Sequence, residues 1–174
     1  TLNAIKSKLL CIPGVAIVQE VLHLELPPLE DILRLSVELY ANDLAGKTFA
    51  VRCRRIGKHA YSSMDVERFV GAGLMHQTDA KGVDLKNPEY KVVIEIRGDS
   101  LFLVKKTEKG LGGFPLGCQE SVVSLISGGF DSSVSSYMTV RRGVQTHFLF
   151  FNLGGNAHEM VVKQIAYFLW NKYH

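Results

Sequence analysis

The chain has 174 residues, of which 47% are hydrophobic and 21% are charged, and its formal net charge is +3. No apolar run approaches the roughly 20 residues of a transmembrane helix, and the N-terminus shows no signal-peptide pattern. These features argue against a helical membrane span within this sequence, and the modest net charge does not by itself indicate nucleic-acid binding. The length allows one large domain or two small ones.

The cysteines indicate a reducing environment. Cys11, Cys53 and Cys118 are far apart, odd in number and in no Cys-x-x-Cys pair. This pattern favours neither a disulfide framework nor a zinc site. A cytoplasmic location is therefore expected.

The first half of the chain mixes helical and extended patterns. Residues 1–28 predict a short helix or loop followed by an extended run. After Pro28 the apolar residues follow helical spacing, and Gly46 is well placed to end that helix. The next segment, Lys47–Arg55, alternates as a strand, with Phe49, Val51 and Cys53 on one face and Arg52 and Arg54 on the other.

Further elements complete an α+β unit. Ser62 or Ser63 can cap a helix, because serine side chains accept hydrogen bonds from the first free amides. Two strands are predicted at Tyr90–Ile96 and Leu101–Val104, and the short Gly-Asp link between them is typical of a hairpin.

The second half predicts a parallel α/β domain. A glycine-rich segment, Gly110–Gly117, marks the change of composition. Beyond it we expect a strand at 121–126, a helix at 131–142, a strand at 146–151, a loop at 152–156 and a helix at 157–172. Alternating β and α elements favour a doubly wound parallel sheet. Two strands bury little surface, so the chain is expected to stop inside a domain.

The run Ser127-Gly128-Gly129-Phe130-Asp131-Ser132 lies between the first of these strands and its helix. A glycine pair there lets the backbone approach a ligand closely, and the free amides of the helix start favour an anion. The run is therefore predicted to cradle phosphate. It lacks the Gly-Lys-Ser/Thr ending of a Walker loop, which excludes that kind of nucleotide site.

A basic segment lies in the first half. Residues 47–59 hold five Lys or Arg and no acid, which fits either one solvated strand face or a phosphate-facing surface. Such a surface positions RNA by shape more than by base reading. The expected RNA contacts are Lys47, Arg52, Arg54, Arg55, Lys58, His59, Lys105, Lys106 and Lys109.

These motifs together resemble a known family. Residues 127–132 match the S-G-G-x-D-S loop of adenylating ATP pyrophosphatases. The flanking segments Gly110–Gly117, Arg141–Gly143 and Phe150–Gly155 look like tRNA 4-thiouridine synthetase, the thiamine-biosynthesis sulfurtransferase (ThiI). Upstream, Phe49–His59 and Ser62–Arg68 resemble its tRNA-binding THUMP domain.

The resemblance implies a reaction and its participants. ATP with Mg²⁺ would adenylate the carbonyl oxygen of a tRNA uridine, and sulfur from a cysteine desulfurase, delivered as a persulfide, would then give 4-thiouridine. A role in sulfur transfer to the thiazole of thiamine is implied for some relatives. Two rivals remain: another adenylating synthetase of the amidotransferase type, and a non-catalytic tRNA-binding protein.

The resemblance also implies the nucleotide-binding residues. They are Leu125, Ile126, Ser127, Gly128, Gly129, Phe130, Asp131, Ser132, Ser133, Phe150 and Phe151. The serines would supply hydroxyl donors, and Asp131 would position Mg²⁺ or the leaving group, although it can also merely cap the helix. Leu125, Ile126 and the two phenylalanines fit nucleotide contact or plain core packing.

The implied domain division is threefold. Residues 1–25 are a remnant of an N-terminal ferredoxin-like domain, residues 26–108 a THUMP domain and residues 109–174 a truncated pyrophosphatase domain. None of the three cysteines falls on the family's catalytic position, so the catalytic cysteine is expected to be absent from this chain. The start at Thr1 agrees with a fragment that binds but does not complete the reaction.

The last helix offers two further candidates. His158 and Glu159 fit a catalytic pair or, more simply, a surface feature of a helix start. Tyr167, Phe168 and Trp170, together with Tyr173, fit base stacking or, more simply, packing against a sheet. If partner elements are missing, part of this surface is expected to be exposed or covered by another chain, which makes a homodimer a candidate assembly.

Overall fold

The computed structural model describes residues 1–173 and divides the chain into two compact units. One unit spans Gln19–Thr107, and the other combines Thr1–Val18 with the chain from Glu108 onward. Among the described residues, no helix has both the length and the apolar character needed to cross a membrane. The helices are α1 (Leu2–Leu10), α2 (Leu29–Leu44), α3 (Ser63–Gln77), α4 (Phe130–Arg141) and α5 (Gly155–Tyr173). The strands are β1 (Ile17–Glu25), β2 (Thr48–Ile56), β3 (Gly82–Val83), β4 (Tyr90–Arg97), β5 (Ser100–Lys109), β6 (Val122–Leu125) and β7 (Thr146–Leu149).

The first unit is built on a five-stranded sheet with the order β1-β5-β4-β2-β3. Strand β2 runs parallel to both β3 and β4, whereas β4 and β5 form the predicted antiparallel hairpin. The register places Arg54 opposite Glu95, and Glu95 opposite Phe102. The hairpin therefore sends β5 back toward the end of the sheet at which β2 begins.

Alternation along the strands produces the core of this unit. Ile94, Ile96 and Leu103 are fully buried and pack with apolar residues of α2 and α3. The hydroxyl of Tyr40 donates a hydrogen bond to the Val104 carbonyl at 3.0 Å. Burial, with smaller contributions from Tyr90 and Asp43, raises the pKa of Tyr40 well above its usual value, so this phenol stays neutral.

Helix α2 buries a narrower face than its sequence suggests. Its fully buried residues are Ile32, Ser36, Tyr40 and Leu44, spaced four apart. The apolar spacing of the sequence predicts a broader stripe that also includes residues left half-buried in the structure, namely Leu29, Leu33, Leu35, Val37 and Leu39. Ser36 is tolerated inside because its hydroxyl donates to the Ile32 carbonyl at 2.7 Å. A buried serine has no apolar signal, which explains why the sequence did not reveal it.

Helix α3 begins with a complete capping box. The Ser62 hydroxyl accepts from the Asp65 amide at 3.2 Å, and the Asp65 carboxylate accepts from the Ser62 amide at 2.8 Å. Hydrogen bonds from the Ser62 side chain and backbone lower the pKa of Asp65. Of the two predicted capping residues, Ser62 is therefore the cap and Ser63 the first helical residue.

The second unit contains the predicted β-α-β-α order, with β6 and β7 paired in parallel. The second strand ends at Leu149, earlier than the predicted residue 151, so Phe150 and Phe151 lie just beyond it. Val123 and Leu125 of β6 are 64% and 62% exposed, because two strands and two helices bury little of this sheet.

The prediction that the α5 aromatics pack in a core is wrong for three of them. Tyr167, Phe168 and Trp170 are each more than half exposed, and the buried residues of α5 are Val162 and Leu169. The face of α5 has only two strands and α4 to pack against. Exposure of part of this surface, also expected from the sequence, is confirmed.

We predict that Ser62→Ala destabilises the first unit by about 1 kcal/mol, because the first turn of α3 loses its cap. Hydrogen exchange of the buried β4 amides measures this free energy. Ser62→Asn is the matched control and keeps most of the stability, since asparagine is an equally good cap; an equal loss in both variants would contradict the capping role. The contribution of the Asp65 carboxylate to stability is fully present above the ordinary aspartate pKa. It is lost as the pH falls through the lowered pKa of the folded state.

Candidate functional site

The glycine loop joins the end of β6 to the start of α4. Gly128 has φ +82°, a conformation that L-residues with a side chain rarely adopt, and a Cβ there would lie 3.3 Å from Val162. Gly129 is the N-cap of α4 in an extended conformation, φ −83° and ψ 167°. The helix start therefore presents amides without intrahelical partners beside a turn that only glycine adopts easily. This geometry suits a phosphate group.

Serine hydroxyls hold the loop together. Ser133 and Ser132 donate to the Gly129 carbonyl at 2.7 and 3.1 Å, and the Ser127 amide donates to the Ser132 hydroxyl at 3.2 Å. In this arrangement the protons of two predicted hydroxyl donors are used within the loop. The backbone amides are thus the donors that remain for an anion, and the hydroxyls can rotate toward one that arrives.

An open recess of about 530 Å³ extends from the loop between α4 and α5. Its lining is mostly apolar, and Phe130 at its rim is 92% exposed. Of the two predicted strand-end residues, Leu125 is exposed and Ile126 is buried. The Ile126 amide donates to the Leu149 carbonyl at 2.9 Å, which ties the loop to the end of β7.

The other predicted nucleotide residues lie around this edge. Asp131 is exposed in the first turn of α4. Phe151 is 66% exposed, whereas Phe150 is half-buried and perpendicular to the His158 ring at 5.0 Å between centroids. No group of three or more His, Cys, Asp or Glu within residues 1–173 is arranged to hold a metal ion. A cation at Asp131 would therefore take its other ligands from water or from a bound anion.

The His158 side chain contacts the glycine loop. The simpler interpretation of the sequence, a surface feature at a helix start, did not predict this contact. The Nε2 atom of His158 lies 2.6 Å from the Ser127 carbonyl. Glu159 instead pairs with Lys163 at 2.5 Å and accepts from Asn152 at 3.1 Å, contacts that lower the pKa of Glu159, with Lys163 the larger cause. The only sequence signal for His158 was its position just after the second strand, because parallel strands end at one edge.

Among the three cysteines, Cys53 lies in an environment that disfavours a nucleophilic thiolate. Cys11 is half-buried, Cys53 buried and Cys118 exposed, and all three are free thiols. Burial, with Glu67 as the next cause, raises the pKa of the Cys53 thiol to about 11. Reactive cysteines have lowered pKa values, so Cys53 is a structural residue.

The predicted RNA contacts fall at different ends of the first unit's sheet. Arg54 and Lys58 are exposed at the end where β2 finishes. Lys47 lies at the other end, roughly 23 Å from Arg54 if each strand residue advances the chain by about 3.3 Å. Because β5 runs antiparallel to β4, Lys105 and Lys106 lie toward the same end as Lys47. Lys109 belongs to the other unit.

At least four of the predicted cations have partners inside the unit. Lys47 donates to the Asp43 carbonyl at 3.0 Å. Arg52 donates to the Leu85 carbonyl at 2.6 Å. Arg55 donates to Nδ1 of His59 at 2.9 Å, and Nε2 of His59 donates to the Gly98 carbonyl at 2.8 Å. The Arg55 Nε atom is buried without a hydrogen-bond partner. These side chains are therefore less available to an external anion than Arg54 and Lys58.

Sequence reasoning missed Arg97, which lies on the same face as Arg54. It forms an ion pair with the mostly buried Glu95 at 2.6 Å and lies over the Phe102 ring at 5.6 Å. On the far side of the Phe102 ring from β4, His23 of β1 stacks on Phe102, with 4.6 Å between the ring centroids. The register across β2, β4 and β5 brings these residues together, and no local pattern indicates it.

Comparison with known family models identifies two segments. Residues 28–104 match the family model described as THUMP domain. Residues 117–174 match the model described as thiamine biosynthesis protein (ThiI). The chain thus carries a THUMP match followed by a ThiI match. The predicted resemblance is confirmed.

Curated relatives of this chain are longer than it is. A tRNA sulfurtransferase of Shewanella woodyi is 52% identical over 171 residues, which cover 98% of this chain and 35% of that protein. One of Shewanella loihica is 54% identical over 166 residues, covering 95% of this chain and 34% of that protein. The chain thus spans about a third of the length of the curated relatives it matches.

Solved structures share the fold of this chain. A 4-thiouridine synthetase in complex with RNA and bound ATP has a TM-score of 0.78 at 22% identity, over 100% of this chain and 46% of that one. A Pyrococcus horikoshii protein has a TM-score of 0.81 at 21% identity, over 98% of this chain and 58% of that one. The predicted fold class, a THUMP domain followed by the start of a parallel α/β domain, is confirmed.

We predict that Gly128→Ser destabilises the second unit by about 1–2 kcal/mol, because a side chain at positive φ is strained. Gly129→Ser is the matched control and changes stability by less than about 0.5 kcal/mol, since serine is a good N-cap. Urea unfolding followed by Trp170 fluorescence measures both. Equal losses in the two variants would show that the positive φ does not constrain the loop.

Proposed function

We propose that the full-length protein thiolates a tRNA uridine at the expense of ATP. The uridine carbonyl oxygen, expected at position 8, attacks the α-phosphate of ATP and releases pyrophosphate. The terminal sulfur of a persulfide then displaces AMP, and a second thiol cleaves the resulting disulfide, which leaves 4-thiouridine and a new disulfide between the two thiols. Two observations support this proposal. The glycine loop between β6 and α4 has the geometry of a phosphate cradle, and residues 117–174 match the ThiI family model.

The loop supports the adenylation step in particular. A uridine oxygen leaves poorly until it carries a phosphate ester, so activation must precede sulfur transfer. In the proposal, the amides at the start of α4 bind the departing pyrophosphate, and the positive end of the helix dipole offsets its charge. Asp131 is the residue that would hold Mg²⁺, and the ion would supply further charge neutralisation there.

The nucleotide is proposed to lie along the edge where both strands end. Leu125 and Ile126 offer backbone atoms next to the loop, and Phe150 and Phe151 follow β7 at the same edge. Ligands of open α/β sheets bind beyond the carboxyl ends of the strands. The exposed ring of Phe151 is the better adenine contact, because Phe150 already packs against His158.

The tRNA is proposed to bind the first unit through its phosphates. Arg54 and Lys58 form the primary contact at one end of the sheet, and Lys47 with Lys105 and Lys106 forms a second contact at the other end. Arg52, Arg55 and His59, which have partners inside the unit, shape the first contact. Lys109, which belongs to the other unit, is a separate candidate phosphate contact. Contacts of this kind give salt-dependent affinity with little sequence readout.

The remaining parts of the proposal concern the wider protein. Sulfur comes from a cysteine desulfurase, a sulfur-transfer role toward the thiazole of thiamine is included, and a homodimer is the candidate assembly. The catalytic cysteine lies outside this chain. The proposed division is a remnant at 1–25, a THUMP domain at 26–108 and a pyrophosphatase domain from 109 onward. A cytoplasmic location agrees with three free cysteines.

Asp131→Asn is predicted to reduce ATP–pyrophosphate exchange by the full-length protein about 100-fold, because the carboxylate no longer positions the cation at the pyrophosphate. Exchange is measured with labelled pyrophosphate, with and without tRNA. Glu159→Gln, an acid at the start of the other helix that pairs with Lys163, is the control and keeps most of the rate. Exchange that is absent from the wild-type protein would favour a non-catalytic tRNA-binding protein, and exchange that is independent of tRNA would favour another adenylating synthetase.

Arg54→Ala is predicted to weaken tRNA binding and to lower the slope of log affinity against log salt by about 1, because one phosphate contact is lost. Arg34→Ala is the charge-matched control, since Arg34 is an exposed residue of α2 paired with Asp31 at 3.0 Å. Fluorescence anisotropy across a salt series measures both. A slope unchanged by Arg54→Ala, or lowered equally by the control, would refute this contact.

A further inference from the structure

His158 joins the first turn of α5 to the glycine loop through a short hydrogen bond. Its Nε2 lies 2.6 Å from the Ser127 carbonyl oxygen. A carbonyl oxygen only accepts, so Nε2 carries the proton and donates it. The bond joins residues 31 positions apart, and it therefore fixes how the start of α5 sits against the loop.

The imidazole ring is held in place from two other directions. Phe150 packs perpendicular to it, with 5.0 Å between ring centroids and an interplanar angle of 88°. On the Gly154 side, a Cβ added to that residue would lie 2.8 Å from His158 Cβ and Nδ1. The loop after β7 therefore has glycine where the ring passes closest. The donor atom is fixed in direction by this packing.

The bond sets the orientation of one peptide unit. In a planar trans peptide the C=O of Ser127 and the N–H of Gly128 point in opposite directions. Because the carbonyl is directed to His158 on α5, the Gly128 amide must point away from α5. Gly128 has φ +82°. Because glycine has no side chain, the peptide unit before it could otherwise rotate and exchange the directions of its C=O and N–H.

We propose that His158 is a positioning residue of the phosphate cradle, whose Nε2–H locks the Ser127–Gly128 peptide so that the Gly128 amide faces the anion. This inference rests on the proposed function, in which the anion is the pyrophosphate part of ATP. The lock also strengthens the donor, since a peptide whose carbonyl accepts a hydrogen bond is polarised and its own N–H becomes a better donor.

The geometry separates this role from acid–base catalysis. The Nε2 proton is already donated to the backbone, and the neighbouring Glu159 is paired with Lys163 and Asn152 rather than with the imidazole. His158 thus acts on the anion through Gly128. Val161 and Val162 also lie under the loop, since a Cβ on Gly128 would be 3.4 and 3.3 Å from them, so plain packing is the alternative that a test must separate.

Three substitutions separate donation from packing. His158→Phe keeps a ring against Phe150 and removes the donor. His158→Gln places an amide N–H near the position of Nε2, whereas His158→Asn carries the same amide on a side chain too short to reach it. Inorganic pyrophosphate is the probe, and its Kd for the full-length protein is measured by calorimetry, with ATP as a second ligand. Thermal unfolding of each variant checks that it is folded.

We expect His158→Phe and His158→Asn to bind pyrophosphate about three- to tenfold more weakly, the range for one lost hydrogen bond, and His158→Gln to stay within about twofold of the wild type. Wild-type affinity in the Phe variant overturns the inference and leaves the proposed function standing. A Gln variant as weak as the Asn variant overturns it as well, since ring packing would then be decisive. If the wild type binds neither pyrophosphate nor ATP, the proposed function fails and the inference fails with it. Should the Phe variant not fold, the comparison of Gln with Asn decides.

Discussion

The parallel pairing of β6 and β7 is the constraint on which the candidate nucleotide site depends. Because both strands run in the same direction, both end at one edge, and the Ile126 amide bonds to the Leu149 carbonyl there. The glycine loop leaves from the first strand, and Phe150 with the following loop leaves from the second. The first turns of α4 and α5 are thereby brought to the same place, which is how residues 31 apart come to share a hydrogen bond.

The two units differ in the size of their apolar cores. The first buries fully packed residues from two helices and at least three strands, including Ile32, Phe49, Val66, Ile94 and Leu103. In the second, the buried apolar residues are Ile126, Val162 and Leu169 among the described residues. A two-stranded sheet has little apolar area to offer. The loop's order therefore depends on specific hydrogen bonds from its serines and His158 more than on a large core.

Local patterns were sufficient for most of the fold. Alternation along residues 48–56, the capping serine and the Gly-Asp hairpin are encoded over a few neighbouring residues, and the structure has each of them. The two-residue β3 was not predicted, because its pairing with Thr48 and Phe49 depends on a distant strand. His158 and Arg97 were missed for the same reason. Their partners are defined by strand order and register, which have no signature near either residue.

Register also limits what the basic residues can do. A mostly buried carboxylate, Glu95, lies between Arg54 and Phe102 in one row across the sheet. Removing a carboxylate from water is costly unless a cation accompanies it, and Arg97 supplies that cation at 2.6 Å while lying over the Phe102 ring. Arg97 is therefore largely neutralised by its own neighbour. At this end of the sheet Arg54 and Lys58 are exposed, whereas the charge of Arg97 is offset by Glu95, so the number of basic residues overstates the net charge of this face.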